Sequence, residues 1–181
     1  MKSIILKDYL LLSYEEHTNL LKIRNQKEIR YASLSNTTIH IKEHLSWIEK
    51  LKNDKTKQYF AIIYNDKIIG GVNIFDKDKD LKWGIFFSDK TPLIIKSIIP
   101  IYYIDSIFNE NDITYIFSEI KKENVNAISY NKNLGFVDVN SNSSEVVTMK
   151  LSFDNYTKIK ENTMLKRIIK KMYLYDIKLE R

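Results

Sequence analysis

The chain reads as a single α+β domain with an added basic extension at its C-terminal end. Two observations predict this: the hydrophobic period switches along the sequence from helical to strand-like and back, and the length suits one core. At 181 residues and 44% hydrophobic composition, the chain can fill one well-packed core and is short for two ordinary domains. No internal repeat or long linker divides it.

Ile4 to Leu12 reads as a first strand. Tyr14 to Arg24 carries Leu20, Leu21 and Ile23 at helical spacing and predicts a helix. Thr37 and Thr38 precede a second helix, Ile41 to Leu51, with Leu45, Ile48 and Leu51 on one stripe and Thr38 as its cap. The period then becomes two. Gln58 to Tyr64, Lys67 to Phe75 and Leu81 to Phe87 form an antiparallel meander, broken by Asn65-Asp66 and by the polar stretch 76–80. Thr91-Pro92 opens a helix running towards Phe108, with Pro100 set to kink or divide it. Ile113 to Ile120 is a buried strand and Asn124 to Asn133 a helix that Gly135 stops. Phe136 to Val139 and Val146 to Leu151 close the domain as a strand pair.

Composition excludes several chemistries. Cysteine is absent, so no disulfide framework or thiolate metal site can form. The three histidines, His17, His40 and His44, make no dense ligand cluster in the sequence, so no metal is expected. The apolar run Leu10 to Leu12 is too short for a signal peptide or membrane span, which points to a soluble cytoplasmic protein. The formal net charge is +6, and residues 154–181 hold eight Lys or Arg against four Asp or Glu. A basic stretch of this kind reads first as a solvated amphipathic helix. The interleaving of Leu165, Ile168, Ile169, Met172 and Leu174 with Lys166, Arg167, Lys170 and Lys171 leaves two other readings open: an anionic membrane surface, or contact with a second copy in a homodimer. No nucleic-acid partner is expected.

Two motifs carry a resemblance to a known family. Residues 123–136, Glu-Asn-Val-Asn-Ala-Ile-Ser-Tyr-Asn-Lys-Asn-Leu-Gly-Phe, place an Asn at a helix start, a small residue three positions on, and a Gly-Phe pair at the end. This segment resembles the late helix of the GNAT acetyltransferase superfamily. The pair Arg24-Asn25, then Arg30, and a helix containing His44-Leu45-Ser46-Trp47-Ile48 resemble the N-terminal half of the UDP-4-amino-sugar N-acetyltransferases of the pseudaminic acid pathway, with the likeness spanning Tyr14 to Leu151.

The resemblance implies a mixed, mostly antiparallel twisted sheet flanked by helices over residues 1–153, with 154–181 as the extension. It implies acetyl-CoA as acetyl donor and a nucleotide-linked amino sugar as acceptor. A GNAT that acetylates a protein N-terminus or small amine, and a non-catalytic binding module, are the competing readings. In this family the strand at Trp83 to Phe87 splays from the next, so the resemblance gives the backbone of Ile85, Phe86 and Phe87 to the pantetheine arm. Lys90 and Thr91 fall at the pyrophosphate-binding helix start, and Asn124 opens the helix that completes the cofactor site.

Arg24, Asn25, Arg30 and His44 become acceptor contacts, because a guanidinium grips phosphate through paired hydrogen bonds. The competing reading of Arg24 is an ion pair with Glu28, and that of His44 an exposed helix residue. Trp47 reads as core. Tyr130 and Asn131 are the candidates for protonating or hydrogen-bonding the departing thiolate, and Glu119 for a base. The chain departs from the family at two places. No glycine lies between Gly84 and Gly135, so the usual phosphate loop is missing. The family's acid Tyr falls seven residues after the helix-opening Asn, where this chain has Asn131 and places Tyr130 one residue early.

Overall fold

A computed structural model describes residues 2–77, 80–110, 113–139 and 145–181. Asp78 and Lys79 of the expected polar stretch lie outside the described residues. The elements are β1 (Lys2–Asp8), α1 (Tyr14–Arg24), α2 (Lys27–Ala32), α3 (Ile41–Leu51), β2 (Gln58–Tyr64), β3 (Lys67–Phe75), β4 (Lys82–Phe87), α4 (Leu93–Glu110), β5 (Tyr115–Lys121), α5 (Val125–Asn133), β6 (Val137–Val139), β7 (Val146–Ser152), α6 (Phe153–Lys160), α7 (Thr163–Met172) and β8 (Tyr175–Glu180). Strand order in the mixed sheet is β6-β7-β5-β4-β3-β2-β1-β8. Among the described residues no helix is long and apolar enough to cross a membrane.

Two compact units make up the chain. The first comprises Met1–Lys79, Trp83–Thr91 and Leu174–Arg181, the second Asp80–Lys82 and Pro92–Tyr173. In the first, β1, β2 and β3 pair antiparallel, and the β2–β3 hairpin turns on Asn65 and Asp66, both at positive φ (49° and 60°). That is the left-handed pair a two-residue hairpin needs. The first strand stops sooner than expected: after Asp8 the chain turns through a 3-10 segment, Tyr9–Leu11, because the Asp8 carboxylate accepts the Leu10 N–H at 2.8 Å. Helix α1 starts on a capping box, with Ser13 Oγ and Glu16 exchanging bonds with each other's backbone N–H groups. The cap of α3 is not Thr38 but His40, whose N–H donates to Glu43 at 3.1 Å.

The extension is helical through α6 and α7 and then becomes a strand. Residues 175–180 pair in parallel with β1 from Lys2↔Tyr175 to Lys7↔Glu180. The alternation Tyr175-Asp176-Ile177-Lys178-Leu179-Glu180 has the period of two that a strand requires, and the neighbouring basic run obscures it.

In the second unit β5, β7 and β6 form an antiparallel ladder, and the first residue of β4 joins it in parallel at Lys82↔Phe117. Helix α4 is the spine of this unit. Ile95, Ile98, Ile99, Ile101, Tyr103, Ile104 and Ile107 are all buried. Pro100 neither ends nor divides α4, which runs unbroken for 18 residues. A proline here removes the N–H that would bond to the carbonyl four residues back, that of Lys96. The Tyr130 hydroxyl fills this place, donating to the Lys96 carbonyl oxygen at 2.7 Å. A second hydroxyl, Tyr156, donates to the Ile101 carbonyl one turn on, at 3.1 Å.

Helix α5 ends as the sequence predicts. The Phe136 N–H bonds to the Asn131 carbonyl and the Gly135 N–H to that of Lys132, with Gly135 at φ +94°. This is the Schellman arrangement, which needs a left-handed residue at that place.

Removing the Tyr130 hydroxyl leaves the Lys96 carbonyl without its donor. Tyr130→Phe is expected to lower stability by about 1–2 kcal/mol. Pro100→Ala restores a backbone donor, so in its background the Tyr130→Phe loss should shrink to a few tenths of that figure. Urea denaturation of the two single variants and the double variant checks this, and strictly additive losses would contradict it.

Candidate functional site

In the first unit, α1 presents His17, Leu20, Leu21 and Arg24 on one face, spaced i, i+3, i+4 and i+7. His17, Leu20 and Leu21 are buried. On α3 the same logic puts His44, Ile48 and Leu51 together, all buried. His44 is therefore not the exposed helix residue of the competing reading. Its Nε2 lies 2.9 Å from His17 Nδ1, so one ring donates and the other accepts. His17 was missed as a site residue, although its place on the Leu20–Leu21 stripe was legible.

Aromatic rings surround the pair. Tyr9 meets His44 edge-on at 6.2 Å, Trp47 meets Tyr59 edge-on at 4.8 Å, and Tyr9 and Tyr59 lie 5.6 Å apart. Trp47 packs against the core, as expected. Gly71 on β3 makes room for this cluster: a Cβ there would come within 2.6 Å of the Tyr9 hydroxyl oxygen and 2.8 Å of the Phe86 ring.

Burial decides the protonation of these groups. It pushes His44 down to about 4, with the neighbouring His17 adding to the effect, and it lowers His17 as well. Both rings are therefore neutral near pH 7, and the site's cation is Arg24. Burial lowers Arg24 from its usual value while Tyr9 opposes the change, and a guanidinium keeps its proton regardless. Its Nη1 is buried and has no hydrogen-bond acceptor. No ion pair joins Arg24 to Glu28 among the described residues, so the competing reading of Arg24 is not what the structure shows. An unsatisfied buried donor of this kind costs about 1–3 kcal/mol, more when charged.

The other two acceptor candidates hold a loop in place. Asn25 Nδ2 donates to the Ile39 carbonyl at 2.8 Å and Asn25 Oδ1 accepts the Ile39 N–H at 3.0 Å. Arg30 donates to Thr38 Oγ1 at 2.7 Å and to the Asn36 carbonyl at 3.4 Å, and its buried Nε has no acceptor. Asn25 thereby clasps the segment entering α3, whose backbone needs partners.

Of the cofactor candidates, Ile85, Phe86 and Phe87 are half-buried on β4, and Phe86 packs on the Tyr9 cluster. The loop after them engages its own donors. The Ser88 N–H bonds to the Ile69 carbonyl at 2.7 Å, the Lys90 N–H to Asp89 Oδ1 at 2.8 Å and the Thr91 N–H to the Ser88 carbonyl at 3.1 Å. The buried Thr91 hydroxyl donates to the Ile69 carbonyl instead of capping α4. Lys90 keeps an exposed side chain. The N–H groups that would cradle a phosphate at a helix start are here largely engaged within the loop.

In the second unit Asn124 caps α5, its Oδ1 accepting the Ala127 N–H at 3.1 Å. Asn131 is buried and its Nδ2 donates to the Ala127 carbonyl at 2.9 Å. Tyr130 donates to Lys96 as described, and burial pushes its phenol well above the usual value. A phenol so held is a weak acid near neutral pH, and its hydroxyl supports α4. Glu119 on β5 pairs with Lys82 at 2.9 Å. Among the described residues no group of three or more metal-ligating side chains comes together.

This architecture matches the fold of several solved N-acetyltransferase structures. No family model matches the sequence. The acetyltransferase PseH of Campylobacter jejuni subsp. jejuni serotype O:23/36 (strain 81-176) is 29% identical over 84 residues, 46% of this chain and 53% of the relative, so the chain spans about half the length of the curated relative it matches. The crystal structure of C. jejuni PseH superposes with a TM-score of 0.66 at 20% identity, covering 83% of this chain and 98% of that one, and a PseH structure in complex with acetyl coenzyme A gives 0.65. The apo structure of FdhC, a nucleotide-linked sugar GNAT, gives 0.67 at 22% identity, covering 88% and 96%. Spermidine N-acetyltransferase from Vibrio cholerae, in complex with CoA and spermine, gives 0.71 at 15% identity, covering 86% and 98%.

The histidine pair predicts a pH dependence of stability. A folded value near 4 for His44 against an unfolded value near 6.5 means the unfolded chain binds the extra proton first. Stability from the neutral pair is fully present above about pH 6.5 and is lost as pH falls towards 4. Thermal melting between pH 7 and 4 should show this loss, and His44→Gln should make it shallower. An unchanged slope in the variant would contradict the assignment.

Proposed function

We propose that the chain is an acetyl-CoA-dependent N-acetyltransferase whose acceptor is the amino group of a nucleotide-linked amino sugar, of the UDP-4-amino-4,6-dideoxy-N-acetyl-β-L-altrosamine type used in bacterial surface-glycan biosynthesis. The observation that carries the acceptor class is the half-buried Arg24 guanidinium, beside Tyr9, with its buried Nη1 lacking an acceptor. A diphosphate supplies what such a group lacks, two negative oxygens in a geometry matching the guanidinium fork. The neutral His44–His17 pair adds a polar wall without a competing charge. The likeness to PseH and to a nucleotide-linked sugar GNAT supports the same reading.

Residues 1–153 would form the acetyltransferase body, with 154–181 as its extension. A cytoplasmic location suits both proposed substrates.

The reaction asks little of side chains. The neutral amine attacks the thioester carbonyl, the C–S bond breaks, and the ammonium proton passes to water while CoA leaves as thiolate. Positioning the two reactants carries most of the effect. The backbone of Ile85, Phe86 and Phe87 is the proposed seat of the pantetheine arm, with Lys90 and Thr91 following on the same unit; in the second unit the proposed cofactor residue is Asn124, at the capped start of α5. Asn131 would act through the geometry of that helix.

Incubating the chain and acetyl-CoA with a UDP-4-amino sugar, and separately with peptides and polyamines, should give the mass gain of a single acetylation on the sugar nucleotide. Gain on peptide or polyamine alone would overturn the acceptor class. Binding of the nucleotide sugar without acetyl-CoA binding would make the chain a non-catalytic module. Arg24→Gln is expected to raise the KM for the sugar nucleotide about tenfold or more with a smaller change in kcat, and an unchanged KM would contradict its role.

A further inference from the structure

Helix α7 and the first turns of α4, both in the second unit, line an open groove of about 660 Å³. Helix α7 has two sides. Leu165 is buried and Ile168, Ile169 and Met172 are half-buried, so that side is turned to protein. Lys166, Arg167, Lys170 and Lys171 fall at helical spacing on the other side, and all four are exposed. Lys166 pairs with Glu161. Arg167, Lys170 and Lys171 have no acidic partner among the described residues.

The groove borders this cationic side. Leu93, the first residue of α4, is 80% exposed, and Met164 in the first turn of α7 is 53% exposed. Both line the groove together with Arg167 and Lys171, which stand one turn apart. Tyr173, the C-cap of α7, is also exposed and lies three residues after Lys170. Free cations and open apolar side chains thus share one stretch of surface.

A second copy fits this surface poorly. A two-fold contact sets the same patch against itself, so three free cations would face their like. A stable protein partner needs about 800 Å² of face with a packed apolar centre, more than three open side chains supply. A lipid surface asks for neither. Its anionic headgroups act as a diffuse field on each nearby cation, and the boundary beneath them accepts apolar side chains. Tyrosine suits that boundary, since its ring is apolar and its hydroxyl polar.

We propose that α7 and the first turn of α4 dock the chain reversibly on an anionic lipid surface. Arg167, Lys170 and Lys171 lie among the headgroups, while Leu93, Met164 and Tyr173 enter the boundary with the acyl chains. With three charges and three apolar side chains, the attachment depends on lipid composition and on salt. None of these residues is among those proposed for acetyl-CoA or the acceptor, so docking and acetyl transfer stand or fall separately.

Co-sedimentation of the full chain with phosphatidylcholine vesicles, and with mixed phosphatidylcholine–phosphatidylserine vesicles, tests this. The unaltered protein should bind the mixed vesicles at low salt, leave them at high salt, and ignore phosphatidylcholine alone. Arg167→Gln/Lys171→Gln should weaken binding about tenfold or more. Leu93→Gln/Met164→Gln, which leaves the charge unchanged, should weaken it about fivefold or more. Both variants should melt with the unaltered protein, because all four side chains are exposed. Absence of binding to the mixed vesicles overturns the proposal. So does full binding by either variant, which would place the contact elsewhere or reduce it to charge alone. A dimer that Met164→Glu disrupts, without vesicle binding, would give the face to a second copy and also overturn it.

Discussion

A missing backbone donor in α4 shapes the second unit. Pro100 deprives the Lys96 carbonyl of its helical partner, and in a buried helix that oxygen has no water to turn to. The Tyr130 hydroxyl closes the gap from α5. Around the same helix, the Tyr156 hydroxyl reaches the Ile101 carbonyl and Lys160 pairs with Asp105 at 2.6 Å, both from α6. Phe108 stacks on Tyr156 with centroids 5.6 Å apart. Thus α4 is fastened by polar contacts from α5 and α6 at points where its own ladder or surface needs them. The apolar stripe alone would leave its rotation less well specified.

The same contact gives Tyr130 a supporting role under α4. A tyrosine one position off the family's acid lies about 100° round the helix, and in that direction it meets α4. Sequence spacing raised the discrepancy; only the position of Pro100 relative to Lys96 gives it a cause. The reverse holds for His44. Its spacing with Ile48 and Leu51 already places it on the buried face, and the His17 partner follows from the Leu20–Leu21 stripe of α1. Both were legible as periodicity, although their hydrogen bond was not, because it joins residues 27 apart in sequence.

Local signals read well wherever the physics is local. Asn124 as cap, Gly135 as left-handed stop and Asn65-Asp66 as hairpin turn all stand where turn chemistry puts them. What failed was non-local. The α3 cap lies at His40 because Thr38 is engaged by Arg30, and β8 is a strand because β1 offers an edge. The basic run of α7 suggested a solvated helix, and α7 is largely that, yet its position against α4 creates a groove no composition could announce. The candidate site divides the same way: residue types were legible, but the Asn25 clasp on Ile39 and the half-buried Arg24 with its unpartnered Nη1 arise through contacts made across turns.

Arg24 is half-buried with a buried Nη1 that lacks an acceptor, and a nucleotide diphosphate is the partner proposed to complete it. Titration of the full chain with UDP alone, followed by the Arg24 Nη resonances in a heteronuclear NMR spectrum, addresses this without requiring any turnover. Saturable binding with a shift of the Arg24 guanidinium signals is the predicted result. UDP binding that leaves those signals unmoved, or no binding at millimolar nucleotide (about the weakest affinity such a contact would give), would contradict it.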